Sequence, residues 1–174
     1  MLRLSTSLIN QPVLSLRTGG QVAITQRAII NPNNLKIEGF FCLDSIEKKQ
    51  LILLYQDMRD VIAKGIVVND HEVLVGPEHL VRLKDIIALN FELIGKPVIT
   101  VGKTKLGKVS EFAAETETMY VQKLYVSQSI LKSLTGGSLS VDRSQITEIT
   151  NKKIVIQDIL QGTAAEAAVG VPAT

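Results

Sequence analysis

The chain has 174 residues, of which 45% are hydrophobic and only 4% aromatic, with no Trp. A hydrophobic fraction of this size indicates a packed core and excludes a disordered chain. The net charge of +2, from 19 basic and 17 acidic side chains, excludes the strong overall positive field that drives nucleic-acid binding. Ile, Leu and Val dominate the apolar residues, which favours β-strands.

The first predicted unit covers residues 1–70 and consists of short strands. Its apolar runs and alternating segments are bounded by turn residues, as in a half-buried sheet. Asn31–Asn34 predicts a tight turn, since Asn tolerates a positive φ and Pro fixes φ. Cys42, the single cysteine, is predicted to be a small core residue. The predicted strands are Pro12–Leu16, Gln21–Ile30, Lys36–Leu43, Leu51–Tyr55 and Ile66–Val68.

Residues 71–92 are predicted to be a linker that contains a short amphipathic α-helix. Pro77 suits the first turn of a helix, and Glu78 lies near the positive end of the helix dipole. Leu80, Leu83 and Ile86 follow with a period near 3.6, so that one face of the helix is apolar. We expect this face to pack on one unit, or between two units, and to hold them rigidly.

Residues 93–160 are predicted to be a second unit, because they repeat features of the first. Leu8–Val13 reappears as Leu93–Val98, 85 positions later, and a glycine-containing turn follows each copy. Leu54–Val61 is matched in the same way by Asp142–Ile149. A repeat of this length indicates duplicated small domains, because solenoid repeats span about 20–50 residues.

Each unit is predicted to be a small closed β-barrel. Five or six short strands in about 65 residues cannot bury both faces of an open sheet, whereas a barrel has no exposed edges and fills its interior with side chains. The remaining residues, 161–174, are rich in Ala and Gly and are predicted to be a flexible tail. The predicted strands of the second unit are Val98–Val101, Lys108–Ala113 and Met119–Val126.

Two motifs of the second unit resemble the opening of a PRC-barrel domain. They are Ile94-Gly95-Lys96-Pro97-Val98 and, after a turn, Leu106-Gly107-Lys108-Val109. Leu139–Ile149 and Ile154–Asp158 resemble the closing part of the same family. The first unit keeps the closing corner as Gln56-Asp57-Met58-Arg59 but has Asn-Gln in place of the opening Gly-Lys.

This resemblance implies a mainly β fold of two tandem PRC-like barrels joined by a short α-helix. The family includes the cytoplasmic domain of the photosynthetic reaction-centre H subunit and the C-terminal domain of a ribosome maturation factor. It has no shared active site, so the resemblance implies a protein-binding module without catalytic residues.

The residues themselves also offer no pattern for catalysis, a metal or a cofactor. His71 and His79 lack the four-residue spacing of a two-histidine metal motif on a helix, and one cysteine cannot build a thiolate site. Gly19-Gly20 and Gly136-Gly137 lack the helix and the Lys-Ser/Thr pair of a phosphate-binding loop, so we interpret both as hairpin turns. The sequence therefore predicts a protein that is not an enzyme.

Two polar clusters are the candidate partner-binding residues. Lys96, Lys103, Lys105 and Lys108 concentrate on the first hairpin of the second unit, where they are suited to an acidic protein, RNA phosphates or an anionic membrane surface. The competing interpretation is that they are edge-strand lysines that prevent aggregation.

The second cluster is the corner formed by Asp57, Arg59 and Asp60, matched in the repeat by Gln145, Thr147 and Glu148. It is either the polar rim of a binding groove or a local salt bridge that stabilises the corner.

The leading hypothesis is a non-enzymatic adaptor that binds a protein partner. The alternative is a ribosome- or RNA-associated maturation factor, although the basic hairpin lacks the interleaved aromatic residues that stack on bases. No apolar run reaches the ~20 residues that span a bilayer, and no signal peptide is apparent, so the expected location is the cytoplasm. The sequence leaves the partner and the oligomeric state open.

Overall fold

A computed structural model describes residues 1–128 and 138–158. The predicted tail and the Gly136-Gly137 turn lie outside these ranges. The chain is mainly β, as predicted, and its strands form two seven-stranded sheets. One short α-helix, Lys84–Ala88, lies between them in the chain.

The first sheet is built by the strands that come before the helix. Strand β1 (Leu2–Leu4) comes first in the chain but belongs to the second sheet. In space the order is β6-β7-β2-β3-β4-β5-β8, and β7 returns to pair in parallel with β2. The strands are β2 (Pro12–Ser15), β3 (Gln21–Asn31), β4 (Lys36–Asp44), β5 (Gln50–Leu54), β6 (Met58–Ile62), β7 (Gly65–Val68) and β8 (Leu74–Val75).

The second sheet contains the strands that follow the helix. Its order is β12-β11-β10-β9-β14-β13, and β14 returns to pair in parallel with β9. Strand β1 pairs antiparallel with the far end of β10, where Leu2 faces Glu115. The strands are β9 (Pro97–Thr100), β10 (Lys105–Glu115), β11 (Val121–Ser127), β12 (Leu139–Asp142), β13 (Ile146–Ile149) and β14 (Ile154–Ile156).

The two sheets follow the same path and match in detail. Six strands of the first sheet, β2 to β7, have the spatial order of β9 to β14. A 3-10 turn precedes β6 and another precedes β13, at Tyr55–Asp57 and Arg143–Gln145. Buried Leu35 and Met119 close the β3–β4 and β10–β11 hairpins with positive φ values of 53° and 58°. The same turns and the same positive-φ conformation are therefore placed at equivalent points of two equivalent paths.

Neither sheet is closed by hydrogen bonds among the described residues. The ladder of the first sheet ends at β6 and β8, and that of the second ends at β12 and β13. The mainly β composition is thus confirmed, whereas a hydrogen-bonded barrel is not present in the described part of the chain.

The linker contains much less helix than predicted. Gly76 and Pro77 open a 3-10 turn, Pro77–His79, which is followed by a second 3-10 turn and the five-residue helix Lys84–Ala88. The expected apolar face nevertheless exists and packs on the first sheet. Its side chains contact a small buried cluster, with Leu80, Ile86 and Ile87 lying against Ile29, Phe41 and Ile52.

One large buried cluster contains residues of both sheets. Phe40 of the first sheet and Phe112 of the second are among its fully buried side chains. Cys42 belongs to the same cluster with no exposed surface, which confirms its predicted place in the core. Burial raises the pKa of the Cys42 thiol to about 12, although a hydrogen bond with the backbone of Leu53 opposes this effect.

Candidate partner-binding surfaces

Three of the four predicted lysines lie together and are exposed. Lys103 is in the turn between β9 and β10, and Lys105 and Lys108 lie on β10. Lys103 takes a positive φ of 66°, and its N–H donates to the carbonyl of Thr100 over 2.9 Å. The turn is therefore fixed by the backbone, and the three ammonium groups are left to solvent.

Lys96 does not belong to this exposed set. It is only 8% exposed, and its Nζ donates to the carbonyl of Asn151 over 2.7 Å. The same Nζ lies 4.5 Å from the centre of the Phe91 ring, at cation–π distance. Burial lowers the pKa of Lys96, and the nearby Glu92 opposes this effect. Lys96 thus joins the linker to the β13–β14 turn instead of presenting its charge to a partner.

A groove of about 540 Å³ lies beside the exposed lysines, between the β9–β10 turn and strands β13 and β14. Lys153 also lines this groove and is exposed. Val101, on the same groove, is 59% exposed. Sequence reasoning missed Lys153, because it comes close to Lys103 only through the parallel pairing of β14 with β9. Val101 lies two residues before Lys103 and was predicted only as the end of a strand. We call Lys103, Lys105, Lys108 and Lys153 the basic face.

The fold does not require these charges. β9 and β10 are interior strands of the ladder, flanked by β14 and β11, so the lysines do not protect a sheet edge. In the first sheet the equivalent hairpin has Gly19, Gln21 and Ile24 where the second has Lys103, Lys105 and Lys108, as the matched strand registers show. The same hairpin therefore forms without any of the three lysines.

None of the four lysines of the basic face takes part in an ion pair with another described residue. Glu148 lines the same groove, but it lies beyond salt-bridge distance from them. Four positive charges without an ion-pair partner among the described residues give this face a positive local potential.

The corner formed by Asp57, Arg59 and Asp60, all within the described residues, lacks the local salt bridge that was one of its two interpretations. Asp57 ends a 3-10 turn, while Arg59 and Asp60 lie on β6. Arg59 Nε donates to Asn69 Oδ1 over 2.7 Å, and Asp60 Oδ1 accepts the N–H of Val61 over 2.7 Å. No salt bridge joins the three corner residues in the part of the chain that is described. Local hydrogen bonds therefore shape this corner.

The matching corner of the second sheet is held by a capping box. The Asp142 side chain accepts the N–H of Ser144 over 3.0 Å, and Gln145 Oε1 accepts the N–H of Asp142 over 2.7 Å. The other two residues of this corner, Thr147 and Glu148, are exposed on β13 and line the groove of the basic face. Only this second corner is thus joined to the basic face.

A larger groove, of about 620 Å³, runs between the first sheet and the linker. Tyr55 and Glu38 lie on its sheet side, and Val81 and Arg82 lie on its linker side. Val81 is 83% exposed. The groove is lined by acidic, basic and apolar side chains, and no one of these residue types dominates it.

The two histidines lie apart from the basic face. His71 Nε2 is 2.6 Å from Oδ1 of Asp44, whose side chain has no exposed surface. The N–H of Glu47 donates to the other oxygen of Asp44 over 2.6 Å. Burial alone would raise the pKa of Asp44, but the hydrogen bonds from Glu47 and His71 and the charge of His71 lower it. This pair stabilises the β4–β5 loop against the segment after β7.

The described residues contain no cluster of three or more His, Cys, Asp or Glu side chains suited to a metal ion. No helix in the described ranges has the length and the apolar character that crossing a membrane requires.

No family model matches this chain, and no curated protein matches it significantly.

Proposed function

We propose that the chain is a non-enzymatic adaptor built from two PRC-like units, and that the basic face binds a protein partner. Two features support the PRC-like assignment. The six strands of each unit follow one order, and in each unit the last strand returns in parallel beside the first. Short strands wrapped around a shared apolar core are the architecture that the sequence motifs imply.

The observation that carries the binding function is the set of four lysines without an ion pair among the described residues, two of them on the interior strand β10 and two in the turns beside β10 and β14. An edge-protection role needs lysines on an edge strand, and β9 and β10 are not edges of the ladder. A stabilising role needs anionic neighbours at ion-pair distance, and the described residues provide none there. Recognition of a negatively charged partner is the role that remains.

The groove next to the lysines indicates the kind of partner. Its wall contains the exposed aliphatic Val101 and the half-buried Ile99, and the residues that line it include no aromatic side chain. Stacking of nucleic-acid bases needs aromatic platforms, whereas an aliphatic side chain of a peptide fits against Val101. The partner is therefore an acidic protein segment that also carries aliphatic residues.

The test is binding of a fluorescent peptide rich in Asp and Glu that contains two Leu residues, measured by anisotropy. The variant combines Lys103→Glu, Lys105→Glu and Lys108→Glu. We expect weak binding by the wild type that decreases with added salt, and an affinity at least about tenfold lower for the variant, because attraction becomes repulsion.

The matched control reverses three exposed lysines elsewhere and makes the same change in net charge. It combines Lys48→Glu, Lys64→Glu and Lys84→Glu. Equal loss of affinity in both variants would show that only net charge matters and would refute the basic face as a site.

The RNA alternative is tested with the same proteins and a single-stranded RNA of about 20 nucleotides. Tighter binding of RNA than of peptide, with an affinity that falls steeply as salt is added, would favour the ribosome- or RNA-associated function. Binding of the peptide alone favours the adaptor.

A further inference from the structure

The two sheets meet through a contact with local two-fold symmetry. The N–H of Ile37 donates to the carbonyl of Met119 over 2.8 Å, and the N–H of Val121 donates to the carbonyl of Leu35 over 2.9 Å. Between these bonds Lys36 pairs with Tyr120 as an antiparallel bridge. Each hairpin thus gives one donor and one acceptor.

The residues in this contact occupy equivalent positions in their hairpins. Leu35 and Met119 are the buried residues with positive φ, so Lys36 and Tyr120 are the residues that follow them. In both hairpins the residue four positions earlier, Asn31 or Glu115, accepts the N–H of the positive-φ residue over 2.8 or 2.7 Å. A residue on the local two-fold axis faces its own equivalent, and here Lys faces Tyr.

A line of alternating aromatic and cationic side chains crosses the contact. Lys36 Nζ is 4.0 Å from the ring centre of Tyr55 and 5.8 Å from that of Tyr120. The guanidinium of Arg143 lies 4.8 Å from the same Tyr120 ring. These distances fall within the range of cation–π attraction. The order along the line is Tyr55, Lys36, Tyr120, Arg143.

Cation and aromatic residue exchange places between the two units. In the first unit the cation is on the hairpin and the aromatic residue is on the 3-10 turn, at Tyr55. In the second unit the aromatic residue is on the hairpin and the cation is on the equivalent turn, at Arg143. We propose that this exchange is a pairing code, which makes the first hairpin bind the second hairpin and reject a hairpin of its own kind on another copy of the chain.

If two hairpins of the same kind paired, aromatic and cationic side chains would no longer alternate across the contact. Two first hairpins would place Lys36 directly opposite the Lys36 of another copy, and like charges in facing positions are destabilising. Two second hairpins would place Tyr120 opposite Tyr120 and would lose the cation between the rings. Each cation keeps the aromatic ring of its own unit in any pairing, but only the mixed pair places a cation, Lys36, between two rings, those of Tyr55 and Tyr120. The contact between the units contains none of the four lysines of the basic face.

Arg143 adds a second element of selectivity. Its guanidinium donates to the carbonyl of Asn34 in the first hairpin over 2.7 Å and to the carbonyl of Val121 over 3.3 Å. The equivalent residue of the first unit is Tyr55, which has no guanidinium to reach across. A pair of first hairpins would lack these bonds altogether.

Single substitutions in the intact chain reproduce each like pair. Tyr120→Lys places Lys opposite Lys, and Lys36→Tyr places Tyr opposite Tyr. The amides of Ile37 and Val121 report on the contact, since they donate only across it, and their hydrogen exchange measures its opening. We expect exchange about tenfold faster in Tyr120→Lys and an intermediate rate in Lys36→Tyr. Amides of β2 and β9 should keep their wild-type rates.

A fourfold exchange provides the rescue. Tyr55→Arg, Lys36→Tyr, Tyr120→Lys and Arg143→Tyr together restore the alternation in the reverse direction, and we expect the exchange of both reporter amides to slow again. Tyr120→Leu serves as the uncharged control, whose exchange should not slow when salt is added, unlike that of Tyr120→Lys. Wild-type exchange rates in Tyr120→Lys, faster exchange in Lys36→Tyr than in Tyr120→Lys, or no rescue would each overturn the pairing code.

Discussion

Replacing Asp44 by Ala is expected to destabilise the fold by about 2–3 kcal/mol at pH 7. The carboxylate is fully buried and accepts two short hydrogen bonds, from the N–H of Glu47 and from Nε2 of His71, each over 2.6 Å. A bond to a charged group contributes about 1.5–3 kcal/mol when its partners are buried. His71 is partly exposed and can turn to water, so its bond adds less than the maximum.

The loss of unfolding free energy in Asp44→Ala should be smaller at low pH than at neutral pH. The pKa of Asp44 is lower in the folded protein than in the unfolded chain, so the carboxylate contributes stability above its unfolded pKa, near 3.9. This contribution is lost as the pH falls through the folded pKa. The stability difference between wild type and Asp44→Ala should therefore still be present at about pH 5 and should shrink below about pH 4.

Urea denaturation followed by circular dichroism between pH 7 and pH 3 measures this difference, with Asp60→Ala as the control at an exposed carboxylate. At pH 7 the melting temperature should fall by about 5–10 °C in a chain of this size. A loss below about 1 kcal/mol at pH 7, or a difference that stays unchanged down to pH 3, would refute the role assigned to the buried carboxylate.

Two further predictions concern the backbone and the thiol. Gly107→Ala should destabilise the protein by about 2–4 kcal/mol, measured by urea denaturation, because Gly107 has a φ of 149° and an added Cβ would collide with the carbonyl of Ser127. Cys42 should react with a disulfide reagent at least about a hundredfold more slowly in the folded protein than in urea, because its thiol is buried and has a pKa near 12.

Each of these two predictions has its own check. Gly20→Ala is the control for Gly107, since an added Cβ there meets no atom closer than 3.7 Å, and its stability should change by less than about 1 kcal/mol. A similar loss in both glycine variants would contradict the collision argument. Rapid labelling of Cys42 in the native protein, followed by absorbance, would show that the core opens more easily than its packing implies.

The strands could be predicted because turn residues and alternating apolar residues, which define a strand, lie next to one another in the sequence. Pro12 begins β2 as predicted, β9 begins one residue before the predicted Val98, and the turn at Asn31–Asn34 separates β3 from β4. The predicted short linker helix is present, but it begins only at Lys84, because Leu80 obtains its burial against the first sheet from a 3-10 segment.

The candidate site depended on contacts that local patterns do not contain. Lys96 is close in sequence to the other lysines, yet the carbonyl of Asn151 and the Phe91 ring hold it in a buried position. Lys153 joins the exposed lysines from a distant part of the chain, because β14 lies in parallel beside β9. Sequence spacing therefore placed three of the four lysines of the basic face and included one that does not belong to it.

The pairing of β1 with β10 affects the order in which the two sheets can form during synthesis. Ser5, just after β1, donates its N–H to the Glu111 side chain, 106 residues later. On the ribosome, β1 emerges before β10 and cannot make this pairing until β10 has been synthesised. The first sheet can complete its own strands during that interval, whereas the second sheet is completed later and includes a strand that was synthesised before the first sheet.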